Sequence, residues 1–168
     1  DALSTIRSAE GDYDSVGFAS SYGSPTRDMS NMTLAQVRDW QEAQDNSKGK
    51  NYKSDRTYVG AYQIGKAALK NTVARTDISW DAKFTKATQD FLARDLAQAR
   101  AEKATTDGVT SVGRLATGMA NEWAGLANSS GLSAYDGRAG NKASVSRAAV
   151  ERVAGNLAAT GAVGNTPT

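Results

Sequence analysis

The chain has 168 residues, enough for one ordinary globular domain or one domain with a tail, and 20 Lys and Arg against 18 Asp and Glu leave a formal net charge of +2. It contains neither cysteine nor histidine, which excludes disulfides, structural-zinc sites, the Ser-His-Asp triad and the Cys-His pair. A general acid or base must then be a carboxylate, a lysine or a tyrosine, and a carboxylate is the first place to look.

In chain order, Leu3 and Ile6 share a helical face and Gly11 supplies a stop, which predicts a first helix over Ala2 to Glu10 with Glu10 in its last turn. Tyr13 to Arg27 is rich in Gly and Ser and reads as a loop with room for a short hairpin. Thr33 to Gln36 matches a capping box, and Met32 can staple onto Val37 across it, so a helix is expected from Leu34 to about Ala43. The polar stretch Gln44 to Arg56 reads as a long loop. Thr57 to Ile64 alternates, with Tyr58, Gly60, Tyr62 and Ile64 on one side, as a short strand or an extended segment would.

Lys66 to Ala74 is a further helix. Ser79 is placed to cap a longer one carrying Phe84, Ala87, Phe91, Leu92 and Leu96 to about Ala104. After a Thr105–Gly108 turn, Ser111 caps a helix whose stripe is Val112, Leu115, Met119 and Trp123, leading to Leu126. Asn128 to Asn141 is loop. Ser144 is expected to cap the last helix, with Val145, Ala149, Val153 and Leu157 as its stripe and Gly161 as its stop. The reading is an α+β chain, mostly α, with at most a small hairpin or short sheet in the first third. One domain over 1–160 is followed by a flexible tail at 161–168.

Trp40 and Trp123 lie on apolar helical faces and belong to a core, whereas Trp80, just past a cap, is expected half exposed. No cluster of Lys and Arg with interleaved aromatics points to nucleic acid, and no apolar stretch is long enough to span a bilayer. The chain opens on Asp1 rather than Met, as a processed or excised piece does, so the missing signal peptide says little about export. Neither a cofactor nor a metal is expected.

Two neighbourhoods carry chemistry. Glu10 sits at a helix C-terminus, the negative end of the helix dipole, and beside Ile6. Both settings raise a carboxyl pKa, as a general acid requires, although an exposed last-turn glutamate is the commoner meaning of such a residue. In Gly60-Ala61-Tyr62-Gln63-Ile64-Gly65 the glycines permit close backbone approach, Tyr62 offers an aromatic face with a hydroxyl, and Gln63 offers donor and acceptor. A buried tyrosine in a hairpin is the plainer alternative.

Taken together, a helix ending in Glu-Gly, a loop-rich interval and then Gly-Ala-Tyr-Gln-Ile resembles the lysozyme-like muramidases and lytic transglycosylases of phages, the lambda-type endolysins and similar virion modules. Asp28-Met29-Ser30-Asn31-Met32-Thr33-Leu34-Ala35-Gln36-Val37 is similar to the helix-opening segment of the virion-associated members. Thr88-Gln89-Asp90 is similar to their Gln-Asp early in a following helix. Asn121-Glu122-Trp123-Ala124-Gly125-Leu126 resembles their Ile-Trp-Ala-Ser-Leu-Pro stretch. Two departures stand out: Ala61 replaces a family arginine, and Ala127 replaces a proline.

The resemblance implies a lysozyme-like fold and cleavage of the β-1,4 bond between N-acetylmuramic acid and N-acetylglucosamine, with Glu10 as catalytic acid. It also implies sugar contacts from Gly60, Tyr62 and Gln63, and from Tyr135 in the loop after the tryptophan segment. A transglycosylase needs Glu10 alone. A hydrolase needs a second carboxylate, for which Asp12, Asp14, Asp28 and Asp55 are candidates that spacing does not separate. Asp12 and Asp14 more simply cap or solvate their loop. A wall-binding virion module without turnover is the non-enzymatic alternative. The expected partner is the glycan strand of peptidoglycan, met by a monomer that is released or carried in a larger virion protein.

Overall fold

The computed structural model describes residues 1–18, 28–46, 57–134 and 143–160. Tyr135, Asp55, the tail at 161–168 and residues 47–56 of the expected loop lie outside them. The elements in order are α1 (Ala2–Glu10), β1 (Val16–Phe18), α2 (Leu34–Asn46), β2 (Thr57–Val59), α3 (Lys66–Arg75), α4 (Lys86–Lys103), β3 (Thr105–Thr106), β4 (Val109–Thr110), α5 (Val112–Glu122) and α6 (Arg147–Thr160). The chain is therefore α+β and mostly α. Among the described residues no helix is long and apolar enough to cross a membrane. Two compact units emerge, one of Gly11–Leu92 and one of Asp1–Glu10 with Ala93–Thr168.

The Gly11–Leu92 unit is built on α2. Its capping box forms as expected: Gln36 N–H donates to the Thr33 hydroxyl at 3.1 Å, and Thr33 N–H donates to Gln36 Oε1 at 2.8 Å. The helix runs to Asn46, three residues past the expected end. Its apolar face buries Leu34 and Val37 fully, and Gln41 on the same helix is buried too. Gln41 Nε2 donates to the carbonyls of Thr57 and Ile64, at 3.0 and 2.8 Å, which ties α2 to both ends of the β2 turn.

Residues 19–27 of the expected Tyr13–Arg27 loop lie outside the described residues. β1 pairs antiparallel with β2, Val16 opposite Val59 and Phe18 opposite Thr57. The segment 57–64 does not stay extended. The chain folds back after Val59 through Gly60–Gln63, so that Val59 and Ile64 exchange hydrogen bonds at 2.9 and 3.2 Å. The turn needs left-handed backbone at Gly60 (φ 78°) and Gln63 (φ 46°), and it places Val59, Ala61, Tyr62 and Ile64 in the core. A period of two held only until the glycine, because Gly60 makes reversal inexpensive.

Ser79 does not open a helix. Its hydroxyl accepts Asp81 N–H at 3.0 Å in a separate turn, and α4 starts at Lys86, where Thr88 N–H reaches the Thr85 hydroxyl at 3.2 Å. Trp80 is half-buried as expected, with the Arg38 guanidinium 4.5 Å over its ring.

In the unit of Asp1–Glu10 and Ala93–Thr168, α1 has the expected bounds and buries Ala2, Leu3 and Ile6. α5 and α6 contribute Leu115, Ala116, Met119, Ala120, Val150, Ala154 and Leu157, and α4 contributes Ala93, Leu96 and Ala97. At Gly118 a Cβ would stand 3.3 Å from Arg100 Cδ. Arg100 also reaches across from α4 to Glu122 of α5, with Nε and Nη2 at 3.0 and 2.9 Å from Oε2.

Three expectations are corrected in this unit. The Thr105–Gly108 turn carries a second small sheet, β3 with β4, closed by Asp107 (φ 52°) and Gly108 (φ 77°) in the Asp-Gly pattern of a type I′ turn. The helix opened by Ser111 ends at Glu122 rather than Leu126, with Trp123 as its C-cap. The last helix is capped by Ser146, not Ser144, since Ala149 N–H meets the Ser146 hydroxyl at 3.3 Å. Its buried stripe is consequently Val150, Ala154 and Leu157, while Val145 bridges to Leu126.

Candidate functional site

Glu10 is the last residue of α1 and is half-buried. The helix stops because Gly11 follows with φ 157°, a conformation in which a Cβ would come within 2.8 Å of the Ser15 hydroxyl. Glu10 Oε1 accepts the N–H of Gly125 at 2.8 Å, across 115 residues of sequence. Gly125 lies in the segment after α5, where Trp123, Leu126 and Ala127 are all buried. That segment is held by Ser144 N–H and Val145 N–H, which donate to the Gly125 carbonyl at 2.9 and 3.0 Å. Ala127 N–H donates to the Val145 carbonyl at 3.0 Å, a bond that a proline at 127 could not make.

Burial pushes the Glu10 carboxyl up to about 7 from its ordinary 4.5, against the opposing pull of the Gly125 N–H, which favours the ionised form. A carboxyl in this range is half protonated near neutral pH and serves equally as proton donor and acceptor.

The Gly60–Gly65 neighbourhood lies in the other unit, where Tyr62 and Gly60 are enclosed by their own packing. Tyr62 has 0% exposure. Its hydroxyl donates to Asp90 Oδ1 at 2.6 Å, and the Tyr13 hydroxyl donates to the same oxygen at 2.8 Å, with the two rings edge to face at 6.4 Å. The expectation that Tyr62 lines a cleft is thus corrected: a buried ring with a committed hydroxyl presents no face to a ligand.

Gly60 is likewise explained from within. A Cβ there would run into Gln89 Oε1, with Gln89 Cδ at 2.9 Å and Phe84 Cε1 at 3.1 Å. The close approach that the glycine allows is that of Gln89, not of a ligand. Gln89 is buried, accepts Ala61 N–H at 3.0 Å, and donates to the Tyr13 and Phe84 carbonyls at 3.2 and 3.4 Å. Ala61 is fully buried, so the position at which the resembled family carries arginine is packed in this chain. Gln63 remains half-buried, its Nε2 on the Gly60 carbonyl at 2.9 Å and close to Gly11.

Of the candidate second acids, Asp12 and Asp14 are exposed. Asp28 is exposed too, and the Ser30 hydroxyl and then the Ser30 N–H hold its carboxyl below the ordinary range. Such an acid is an anion at neutral pH, engaged in its own turn. Among the described residues no three carboxylates gather as a metal ion would need. A hollow of about 380 Å³ beside the β3–β4 hairpin, lined by Glu102, Asp107 and Leu157 among others, holds none of the candidate residues.

Sequence reasoning missed the roles of Gly125 and Asp90. Both fall inside segments that carry the family resemblance, but neither role follows from local pattern. No family model matches the chain, and no curated protein or solved structure is similar to it at a significant level.

Proposed function

We propose that this chain is a peptidoglycan-cleaving glycosidase in which Glu10 is the general acid, acting as a lytic transglycosylase on the β-1,4 bond between N-acetylmuramic acid and N-acetylglucosamine. The observation that carries the reading is the setting of Glu10: a half-buried carboxyl at a helix C-terminus, held by one backbone N–H from Gly125. The resemblance of Glu10-Gly11, Gly60–Ile64 and Asn121–Leu126 to phage lysozyme-like enzymes supports it independently. So does the absence of His and Cys from the chain, because cell-wall amidases and endopeptidases rely on zinc-binding histidines or a Cys-His pair.

In the reaction, the protonated Glu10 carboxyl gives its proton to the glycosidic oxygen as the bond from muramic C1 breaks, and the N-acetylglucosamine leaves with a free hydroxyl. The Glu10 carboxylate then takes the proton of the muramic C6 hydroxyl as that oxygen closes on C1. One proton leaves Glu10 and one returns, no water is consumed, and the product is a 1,6-anhydro sugar. The chain does this as a monomer, as part of a phage virion protein or as a released endolysin, with the bacterial wall as its partner.

Mass spectrometry of peptidoglycan digests tests the reading. Anhydro-muropeptides, one water lighter than hydrolysis products, are the expected outcome, and Glu10→Gln is expected to remain folded and release none. Reducing ends without anhydro products would replace the transglycosylase with a hydrolase that draws on a second carboxylate. Binding to the wall with no product would leave a non-catalytic module.

A further inference from the structure

The hydrogen bond between Gly125 and Glu10 engages one of the two oxygens of that carboxyl. We propose that Gly125 is a positioning residue whose N–H holds Oε1 of Glu10 as a fixed acceptor, leaving Oε2 as the oxygen that carries the proton and delivers it to the glycosidic oxygen. The proposal rests on the reading of Glu10 as the general acid.

The first support is the reason for the glycine. Gly125 is not among the glycines with left-handed backbone, so conformational freedom does not call for it. Space does. A Cβ at 125 would stand 2.7 Å from Ala9 Cβ, 2.8 Å from the Ala9 carbonyl oxygen and 3.1 Å from Glu10 Oε1. Only a residue without a side chain brings its N–H to the end of α1 at hydrogen-bond distance.

The second support is that the donor is held from both sides. The Gly125 carbonyl takes two N–H groups, from Ser144 and Val145. On either side of it, Trp123 N–H closes on the Met119 carbonyl at 2.9 Å, and Leu126 N–H on the Trp123 carbonyl at 3.1 Å. With Trp123 and Leu126 buried, the 125 peptide has little freedom to turn its N–H elsewhere.

The third support is chemical. A neutral carboxyl has one carbonyl-type oxygen and one hydroxyl, and a fixed N–H favours the carbonyl-type oxygen at its own side, which puts the proton on Oε2. Once the proton has left, the same N–H becomes a charge-assisted bond to a carboxylate and strengthens. It therefore favours the product of the transfer, and moderates the rise that burial alone would impose on Glu10.

The test removes the donor without adding atoms. Glycolic acid in place of Gly125, introduced into the full chain, exchanges the N–H for an ester oxygen and creates no Cβ. The Glu10 carboxyl is titrated by carbon-13 NMR in the wild type, the ester and Gly125→Ala, with the amide spectrum reporting the fold, and kcat and KM on peptidoglycan are followed against pH. In the ester the Glu10 titration is expected to rise by about one unit. The basic limb of kcat moves with it, kcat falls about tenfold at its optimum, and KM stays within about twofold. Gly125→Ala is expected to move the titration the same way. A wild type that turns over but whose Glu10 titration ignores the ester defeats the Gly125 assignment alone. So does a shifted titration with kcat and its limb unmoved. A wild type that releases no product defeats the glycosidase reading itself, and the delivery step with it.

Discussion

Replacing Glu10 by Gln isolates the energetic consequence of burying this carboxyl, separately from catalysis. The amide retains an Oε1 that accepts the Gly125 N–H, keeps nearly the same volume and carries no charge at any pH. The wild-type carboxyl titrates near 4.5 when the chain is unfolded and at about 7 in the fold. Between those values the unfolded chain is ionised at this site while the folded chain still holds its proton. Unfolding releases a proton there, and stability falls as pH rises. The stability that Glu10 contributes is complete below about pH 4.5 and is lost by the time the pH has passed through 7.

Each pKa unit corresponds to about 1.4 kcal/mol, so relative to Gln the wild type loses about 2 kcal/mol by pH 6 and about 3 kcal/mol once the pH exceeds 7. Urea unfolding of both proteins at pH 4.5, 6 and 8 measures the difference directly, and all other titrating groups cancel in it. The expected result is a Glu10→Gln variant that gains on the wild type as pH rises, reaching its full advantage above 7. A difference that stays constant from pH 4.5 to 8 would refute the reasoning, because it would mean that the carboxyl is as well solvated in the fold as in the unfolded chain.

Three further outcomes follow from the packing. Gly60→Ala is expected to cost about 2–4 kcal/mol in urea unfolding, since φ 78° disfavours any side chain and the new methyl displaces Gln89 from three hydrogen bonds; a loss below about 0.5 kcal/mol would contradict the turn. Tyr62→Phe removes one of two hydroxyls from Asp90 Oδ1 and is expected to cost about 1–3 kcal/mol while leaving kcat within about twofold, whereas unchanged stability with a large loss of kcat would return the hydroxyl to the substrate. Thr33→Ala takes the acceptor from Gln36 N–H at the start of α2, for an expected loss of about 1 kcal/mol by the same measurement.

The parts of the fold legible in the sequence were those decided within a few residues. The Thr33–Gln36 box places the start of α2 because its two hydrogen bonds lie within one turn. The Leu3–Ile6 face and the Gly11 stop place α1 for the same reason. Where two local signals competed, tertiary contacts chose between them. Ser79 and Thr85 both precede the α4 stripe, and the chain keeps 79–82 as a turn because Ala82 and Trp80 carbonyls are taken by the N–H groups of Leu34 and Ala35. Ser144 and Ser146 both precede α6, but Ser144 N–H is committed to the Gly125 carbonyl, and the helix starts after the second serine.

The site was legible only on the side that chemistry marks. A glutamate at a helix end beside an apolar residue is a visible candidate, and the structure gives it the raised pKa that its position suggested. Its partner was not visible, because a backbone N–H has no residue type and it lies 115 positions along the chain. The trace it leaves is a glycine outside the left-handed region, at a position where any Cβ would meet Ala9 and Glu10 Oε1. Tyr62 fails in the opposite direction. Tyrosine and glycine in one short segment suit a sugar site and a tight buried turn equally well, and the choice was made by Gln89 and Asp90, which occupy the space and the hydroxyl that a ligand would have used. The aromatic motif therefore acts as scaffold for its own turn, and the chemistry of the proposed reaction falls on a single carboxyl and the one amide that holds it.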